Sequence, residues 1–404
     1  MLNLSRYNPI GDEEKKAAMR VLDSGNLSAF IGAWGEGFYG GEEVKEFEKE
    51  LADYFDVKHA VTFNSLTSGL IAAIGAIGIE PGDEVIVSPW TMSATATAIV
   101  VWGGIPVFVD IEKNFYGLDP SKVKQAITKH TKAILVTDIF GHGAQLDELE
   151  KISKQHNLKL IEDVAQAPGV KFKGKLCGKW GDIGGFSLNY HKHIHTGEGG
   201  FCITDDDELA LKMKMIRNHA EASIVNSPLQ DLKNMVGFNF RMGEIEAAIG
   251  REQLKKLPRL LKVNQEKALW FHDRLKDIKS IRLPKTDCDS SHAYYVFPIQ
   301  LNFSKQDGFL KLLEKEQLPG LVARYVNVHR LPMFKNKVAF GRGYPWNMAH
   351  REIDYKIGIC PVAEDLNDHS FIGLLISMYD MNEKEVNLLC DIFEQALESA
   401  LNEA

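Results

Sequence analysis

The stretch Leu158-Lys-Leu-Ile-Glu-Asp-Val-Ala-Gln-Ala167 decides the fold class. An apolar run of strand length ends abruptly at two acids, Glu162 and Asp163, and a helix-compatible segment follows. Acidic residues at the carboxyl end of a parallel strand stand where open α/β sheets build their sites. Working outward, the same punctuation recurs. Strands are expected near Ala60–Phe63, Glu84–Ser88, Pro106–Val109, Ala133–Thr137, Lys159–Glu162, Ile183–Ser187 and Gly200–Thr204. Helices are expected between them, from Thr67, Ser93 and Gln145. Apolar strands alternating with helices predict a mostly parallel sheet of seven strands covered on both faces, an α/β fold.

The second informative stretch runs Phe186-Ser-Leu-Asn-Tyr-His-Lys-His-Ile-His-Thr-Gly-Glu-Gly-Gly200. Lys192 is its only Lys or Arg, set among His191, His193 and His195. A lysine attacks carbonyls only when partly deprotonated, and an enclosed site with neighbouring cations favours the neutral form. A lysine Schiff base together with an Asp that keeps a pyridinium nitrogen protonated is what a pyridoxal phosphate enzyme needs, and Asp163 is the candidate carboxylate. Each has a plainer reading, Lys192 as a surface residue in a polar loop and Asp163 as a helix cap.

Size and composition narrow the class. At 404 residues the chain exceeds what one core usually serves, so two domains are expected. We place the first at 12–255 and a smaller C-terminal α/β domain at 256–404, with segment 1–11 packing near the latter. A long helical stretch from about Gly243 to Lys276 leads into this second region, where a strand Ala293–Gln300 and helices Phe309–Glu316 and Glu383–Ser399 are expected. The net charge of −8 gives no sign of nucleic-acid binding. Five cysteines, at 177, 202, 288, 360 and 390, form no CxxC pair, which favours a reducing cytoplasm and argues against a zinc or iron–sulfur site. The first residues lack the apolar core of a signal peptide. The charge-free run Val85–Val109 contains Pro89, Gly103, Gly104 and Pro106, so strand, helix and strand inside a soluble domain suit it better than a membrane span.

Several motifs in one order carry a resemblance. Ser24-Gly-Asn-Leu27, Asn64-Ser-Leu-Thr-Ser-Gly-Leu70, Pro81-Gly-Asp-Glu-Val-Ile-Val87 and Ile161-Glu-Asp-Val-Ala-Gln-Ala167 are followed by Thr196-Gly-Glu-Gly-Gly200, Arg217-Asn-His-Ala220 and Gly237-Phe-Asn-Phe-Arg-Met242. In these the chain resembles the sugar-nucleotide aminotransferases of the DegT/DnrJ/EryC1/StrS family, pyridoxal phosphate enzymes of the aspartate-aminotransferase fold (fold type I). The resemblance implies a homodimer with a shared active site, an amino-acid donor, usually L-glutamate, and a keto-sugar acceptor, usually nucleotide-linked, in the making of surface polysaccharide or another glycan. It makes Lys192 the catalytic amine and Asp163 the ring-nitrogen partner. Gln166, one helical turn after Asp163, matches the residue that hydrogen-bonds the ring hydroxyl. Leu66 and Thr67 follow a strand and open a helix, where free amides could hold a phosphate. Ser187 matches a phosphate-binding serine, and Asn239 an asparagine supplied by the partner subunit.

The chain also departs from the family. Leu66 stands where many members carry glycine. An aromatic usually follows the threonine at position 91 and stacks on the ring; here Met92 follows it and Trp90 precedes it, so either could cover the cofactor. His193 and His195 would share a face if extended, but no acidic or thiol cluster accompanies them, and no metal is expected. The segment Phe334–Tyr355 matches poorly, as a substrate-specific insertion or a surface loop. Substrate contacts are expected around Phe30–Gly41, the His-rich segment and Arg324–Arg330.

Other readings compete. A pyridoxal phosphate sugar dehydratase of the same family would carry histidine in place of Lys192, and His191 and His193 beside it make the register worth checking. A non-catalytic relative would have no chemical need to keep Lys192, Asp163 and Gln166 together. A nicotinamide-dependent sugar oxidoreductase should show G-x-G-x-x-G after an early strand, and Gly141-His-Gly143 lacks the third glycine.

Overall fold

The computed structural model describes residues 4–223, 229, 231–285, 289–303 and 306–402. Cys288 lies outside the described residues. Seven strands form the main sheet: β1 (His59–Phe63), β2 (Glu84–Val87), β3 (Ile105–Phe108), β4 (Thr131–Thr137), β5 (Lys159–Asp163), β6 (Ile183–Ser187) and β7 (Gly200–Thr204). Their spatial order is β1-β7-β6-β5-β4-β2-β3. Strands β3, β2, β4, β5 and β6 pair in parallel, and β7 runs antiparallel to both β6 and β1. The run Val85–Val109 becomes β2, the helix Ser93–Val101 and β3. Among the described residues no helix is long and apolar enough to cross a membrane.

The sequence shows why these strands sit in the middle. Burial on both faces demands apolar residues at successive positions, and Val85, Ile86 and Val87 are all fully buried, as are Ile134, Leu135 and Val136. Glycine admits a close approach where the sheet meets the helix Leu66–Ala76. A Cβ on Gly200 would stand 2.4 Å from the Leu66 amide nitrogen. This contact fixes the start of that helix against β7. Ser65 caps the helix, its Oγ accepting from the Ser68 N–H at 3.1 Å.

A second, antiparallel sheet of four strands (Ile281–Arg282, Phe297–Leu301, Phe371–Leu374 and Leu321–Ala323, in that spatial order) is packed by the helices Gln306–Lys315 and Glu383–Asn402 around its own core. The helix Glu244–Leu275 bridges the two cores, giving Leu254 and Leu257 to the first and Ala268, Phe271 and Leu275 to the second. Position 255, where the sequence suggests a boundary, lies inside this helix. The N-terminal segment pairs through Ser5–Arg6 with Tyr379–Asp380.

One expectation changes and another is refined. The strand expected from Ala293 begins only at Phe297. Ala293 and Val296 spend their N–H groups on Gly141 and Phe140 of the large domain, and Tyr294 has a φ of 48°. Phe334–Tyr355 runs at the surface with most of its residues exposed, but it is anchored rather than loose. Trp346 and Tyr355 are buried in the main core, joined by a 3.0 Å bond from the indole N–H to the phenol oxygen, and the Tyr355 hydroxyl donates to the Pro106 carbonyl at 2.6 Å.

Candidate active site

A cavity of about 360 Å³ opens at the carboxyl ends of β4, β5 and β6. It is lined by Leu66, Thr67, Met92, Asp163, Gln166, Ser187 and Lys192, seven positions singled out from the sequence. Each arrives by a different local device. Asp163 is the last residue of β5 and Ser187 the last of β6. Thr67 sits in the exposed first turn of the helix capped by Ser65, where amides have no partner within the helix.

Asp163 is 4% exposed, and burial pushes its carboxyl above the usual range. Opposing that, Thr95 Oγ1 donates to Oδ2 at 2.8 Å, the Ala165 N–H donates to Oδ1 at 3.2 Å, and the charge of Lys192 favours the anion. Behind it stand two more buried acids, Asp138 and Glu162. Burial raises both, Glu162 to about 7 despite N–H donors from Gly178, Trp180 and Gly181. Asp138 accepts the Ala144 N–H and donates its own backbone N–H to the Asp163 carbonyl at 3.0 Å.

Across the cavity, Lys192 Nζ lies 4.5 Å from the centroid of the Tyr295 ring. Burial lowers its pKa to about 8, with Asp163 pulling the other way. The flanking imidazoles leave the site uncrowded by charge. His191, which also lines the cavity, and His193 are both lowered to about 4 by burial, with Lys192 adding to the effect. His193 is turned out of the cavity, its Nε2 hydrogen-bonded to the Ala293 carbonyl at 3.0 Å, and the His195 main-chain N–H donates to Gln253. Among the described residues no group of three or more His, Cys, Asp or Glu is placed to hold a metal ion.

Gln166 is 8% exposed, and its Oε1 accepts the Phe140 N–H at 2.7 Å, so its NH₂ is the end left to donate. Ser187 Oγ accepts the Asn189 N–H at 3.3 Å, and Asn189 is tied in turn to Glu198 at 2.8 Å. Met92 is 61% exposed at the cavity wall. Trp90 is placed elsewhere: it is fully buried, donates its indole N–H to the Tyr325 carbonyl at 2.6 Å, and meets Tyr116, Phe140 and Phe371 edge-on. It is a core residue, which corrects its assignment to the ring-covering role. Asn239 is exposed and is not among the residues lining this chain's own cavity, with its carbonyl 3.5 Å from Asn64 Nδ2.

Of the neighbourhoods suggested for substrate, the His-rich segment reaches the cavity and Arg324–Arg330 does so through Tyr325. Arg330 is committed to Glu364 at 3.2 Å and Asp368 at 2.7 Å. Residues Phe30–Gly41 do not line the cavity. Sequence reasoning missed Thr95, Phe140 and Tyr295, and reached Tyr325 only as part of a neighbourhood. Only Thr95 left a signal, since it lies four residues after Thr91 across the start of a helix and the two hydroxyls meet at 2.9 Å.

The arrangement can bind an aromatic cation by charge at Asp163, an anion at the Leu66–Thr67 amides, and a carbonyl carbon at a partly neutral lysine. Comparison with known proteins agrees with that chemistry. The spore coat polysaccharide biosynthesis protein SpsC of Bacillus subtilis is 32% identical over 341 residues, 82% of this chain and 85% of that one. A protein of Acidithiobacillus ferrooxidans, named as a UDP-N-acetyl-3-dehydro-alpha-D-glucosamine 3-aminotransferase, is 29% identical over 97% of this chain and 96% of its own. Among solved structures, S. venezuelae DesV in complex with a ketimine intermediate superposes with a TM-score of 0.79 at 28% identity, covering 95% of this chain and 94% of DesV. Residues 12–353 match the DegT/DnrJ/EryC1/StrS aminotransferase family, and the chain belongs to it.

Proposed function

We propose that this aminotransferase uses pyridoxal 5′-phosphate to move an amino group from L-glutamate to a nucleotide-linked keto sugar destined for a surface polysaccharide or another glycan. The observation that carries the reading is the pairing, across one cavity, of a buried hydrogen-bonded carboxylate, Asp163, with a lysine lowered to about 8. The relatives' names support the substrate class. The residues present fit the cofactor: a carboxylate for a ring nitrogen, an amide NH₂ for a ring hydroxyl, and helix-start amides with two hydroxyls for a phosphate.

When bound, the cofactor supplies an electron-accepting ring that alternates between carbonyl and amine forms. The protein does the rest. Lys192 would hold the cofactor covalently and, once displaced by the donor amine, carry through Nζ the proton that leaves the donor α-carbon. Asp163, fixed by Thr95 and Ala165, would keep the proton on the ring nitrogen. Gln166 would donate to the ring hydroxyl; Thr67, Ser187 and the Leu66 and Thr67 amides would hold the phosphate. Met92 would cover the ring with its thioether. Asn239, exposed and outside this chain's cavity, would reach the phosphate site of a second copy, making the active site shared across a homodimer.

The dehydratase alternative requires histidine at the reacting position. Lys192 lines the cavity together with His191, whereas the His193 ring lies outside it and is engaged with Ala293; a lysine present in the cavity favours the transferase. The test is incubation with L-glutamate and a panel of nucleotide-linked keto-deoxysugars, with mass spectrometry for the aminosugar and for 2-oxoglutarate. Equal amounts of both support the reading. Loss of a sugar hydroxyl without nitrogen gain would replace it with the lyase.

A further inference from the structure

Three buried threonines stand in line beside the ring-nitrogen carboxylate. Thr137 Oγ1 donates to Thr91 Oγ1 at 3.1 Å, Thr91 and Thr95 hydroxyls are 2.9 Å apart, and Thr95 Oγ1 donates to Asp163 Oδ2 at 2.8 Å. Thr91, Thr95 and Thr137 are 3%, 0% and 4% exposed; Thr91 and Thr137 contribute to the cavity wall, and Thr95 does not. They come from three elements: the end of β4, the turn before the helix Ser93–Val101, and that helix's first turn.

We propose that Thr95, Thr91 and Thr137 form a polarised relay that positions Asp163 and holds it as the anion facing the cofactor ring. An ionised carboxylate only accepts. Thr95 must therefore give its single proton to Asp163, which obliges it to accept from Thr91, and Thr91 in turn to accept from Thr137. All three O–H bonds point the same way, toward Oδ2, and hydrogen bonds in such a chain strengthen one another in a low-dielectric interior. A proton on Oδ2 would need an acceptor, so Thr95 would have to reverse and the chain behind it would lose its direction. The relay thus disfavours a proton on Oδ2, and its aligned O–H bonds favour the anion.

A tie through the backbone acts beside it. Thr137 and Asp163 are paired in register, and the N–H of the next residue, Asp138, donates to the Asp163 carbonyl at 3.0 Å. The end of β4 therefore fixes Asp163 twice, by main chain and by side chain. A valine at any of the three positions would fill nearly the same space, so packing alone does not call for hydroxyls. The other titratable groups around Asp163 are Lys192 across the cavity, Asp138 and Glu162 behind it, Cys202 on β7 and Tyr325.

The inference rests on the pyridoxal phosphate reading, and its test separates the two. Thr95→Val, Thr95→Ser and Thr137→Val are compared with the parent protein, all loaded with cofactor, for the pH midpoint of the visible band, cofactor loss on dialysis, and the split between kcat and KM. Thr95→Val is expected to raise the midpoint, because a less firmly protonated ring leaves the lysine-linked nitrogen more basic. It should also speed cofactor loss and lower kcat about tenfold or more, the effect of one hydrogen bond to a charged group, with the donor KM within about twofold. Thr95→Ser should restore all three readouts. Thr137→Val, which removes no direct hydrogen bond to the Asp163 carboxylate, should shift the midpoint in the same direction by less, and it tests the relay even if Thr95→Val does not fold. An unshifted midpoint in both valine variants, or a serine variant as impaired as the valine, overturns the relay while leaving the parent reading intact. A parent protein that takes up no cofactor overturns both.

Discussion

Lys192 is expected to titrate far below an ordinary lysine, and the consequence is measurable without any substrate. Enclosure lowers its pKa from 10.5 to about 8, and Asp163 is the group that keeps it from falling further. At pH 7.5 about one-quarter of such an amine is neutral, against about one in a thousand for an unperturbed lysine, a gain of roughly two hundredfold in nucleophile. In cofactor-free protein, brief acylation across a pH series followed by peptide mass spectrometry would give the midpoint for Lys192, with exposed lysines in the same digest as standards. The expected midpoint is near 8. The sign for Asp163→Asn follows from the same balance. Removing the anion removes the influence that favours the ammonium, so the midpoint falls and Lys192 becomes more reactive toward the acylating reagent at neutral pH, while cofactor chemistry collapses for want of the ring-nitrogen partner. A midpoint near 10, or an upward shift in Asp163→Asn, would refute the reasoning.

Other perturbations separate neighbouring roles. Thr67→Ala with Ser187→Ala should leave the fold intact and weaken cofactor retention by about tenfold or more, read by equilibrium dialysis, since hydrogen bonds to a charged phosphate are worth about 1.5–3 kcal/mol each. Gly200→Ala places a Cβ against the Leu66 nitrogen, so it should displace the helix start and weaken retention without touching a side chain of the site. Trp90→Ala should cost about 3–5 kcal/mol in urea unfolding, as the loss of a buried aromatic does, whereas Met92→Ala should stay within about 0.5 kcal/mol of the parent and change cofactor affinity instead. Asn239→Ala should loosen the cofactor without altering the monomer core, and a fully active monomer would refute the shared site.

The main sheet was legible because each of its strands is an apolar run ended by turn residues, and strands buried on both faces need nothing subtler. Ile183–Ser187 and Gly200–Thr204 lie where the sequence sets them. Strand direction was less visible: nothing in Gly200–Thr204 distinguishes the antiparallel β7 from its parallel neighbours. Lys192, Asp163, Gln166, Thr67 and Ser187 were readable because motif order carries them to one sheet end. The choice between Trp90 and Met92 was not, since the two flank Thr91 in an irregular turn whose course the sequence does not fix, and the aromatic cluster around Phe371 is what places Trp90 in the core. Thr95 escaped for a related reason. Its hydroxyl gains meaning only from Asp163, which is 68 residues away in sequence. Arg330 misled in the other direction, because its partners Glu364 and Asp368 arrive from a distant segment and occupy the cation.

The central claim, that Lys192 carries pyridoxal 5′-phosphate and passes through an amino-group transfer from L-glutamate, is tested most directly by the visible absorbance of the purified protein before and after that amino acid is added. The account predicts a band from the lysine-linked cofactor that collapses with L-glutamate and is absent in a folded Lys192→Ala variant. No band after addition of pyridoxal phosphate, or a band that L-glutamate leaves unchanged, would contradict it.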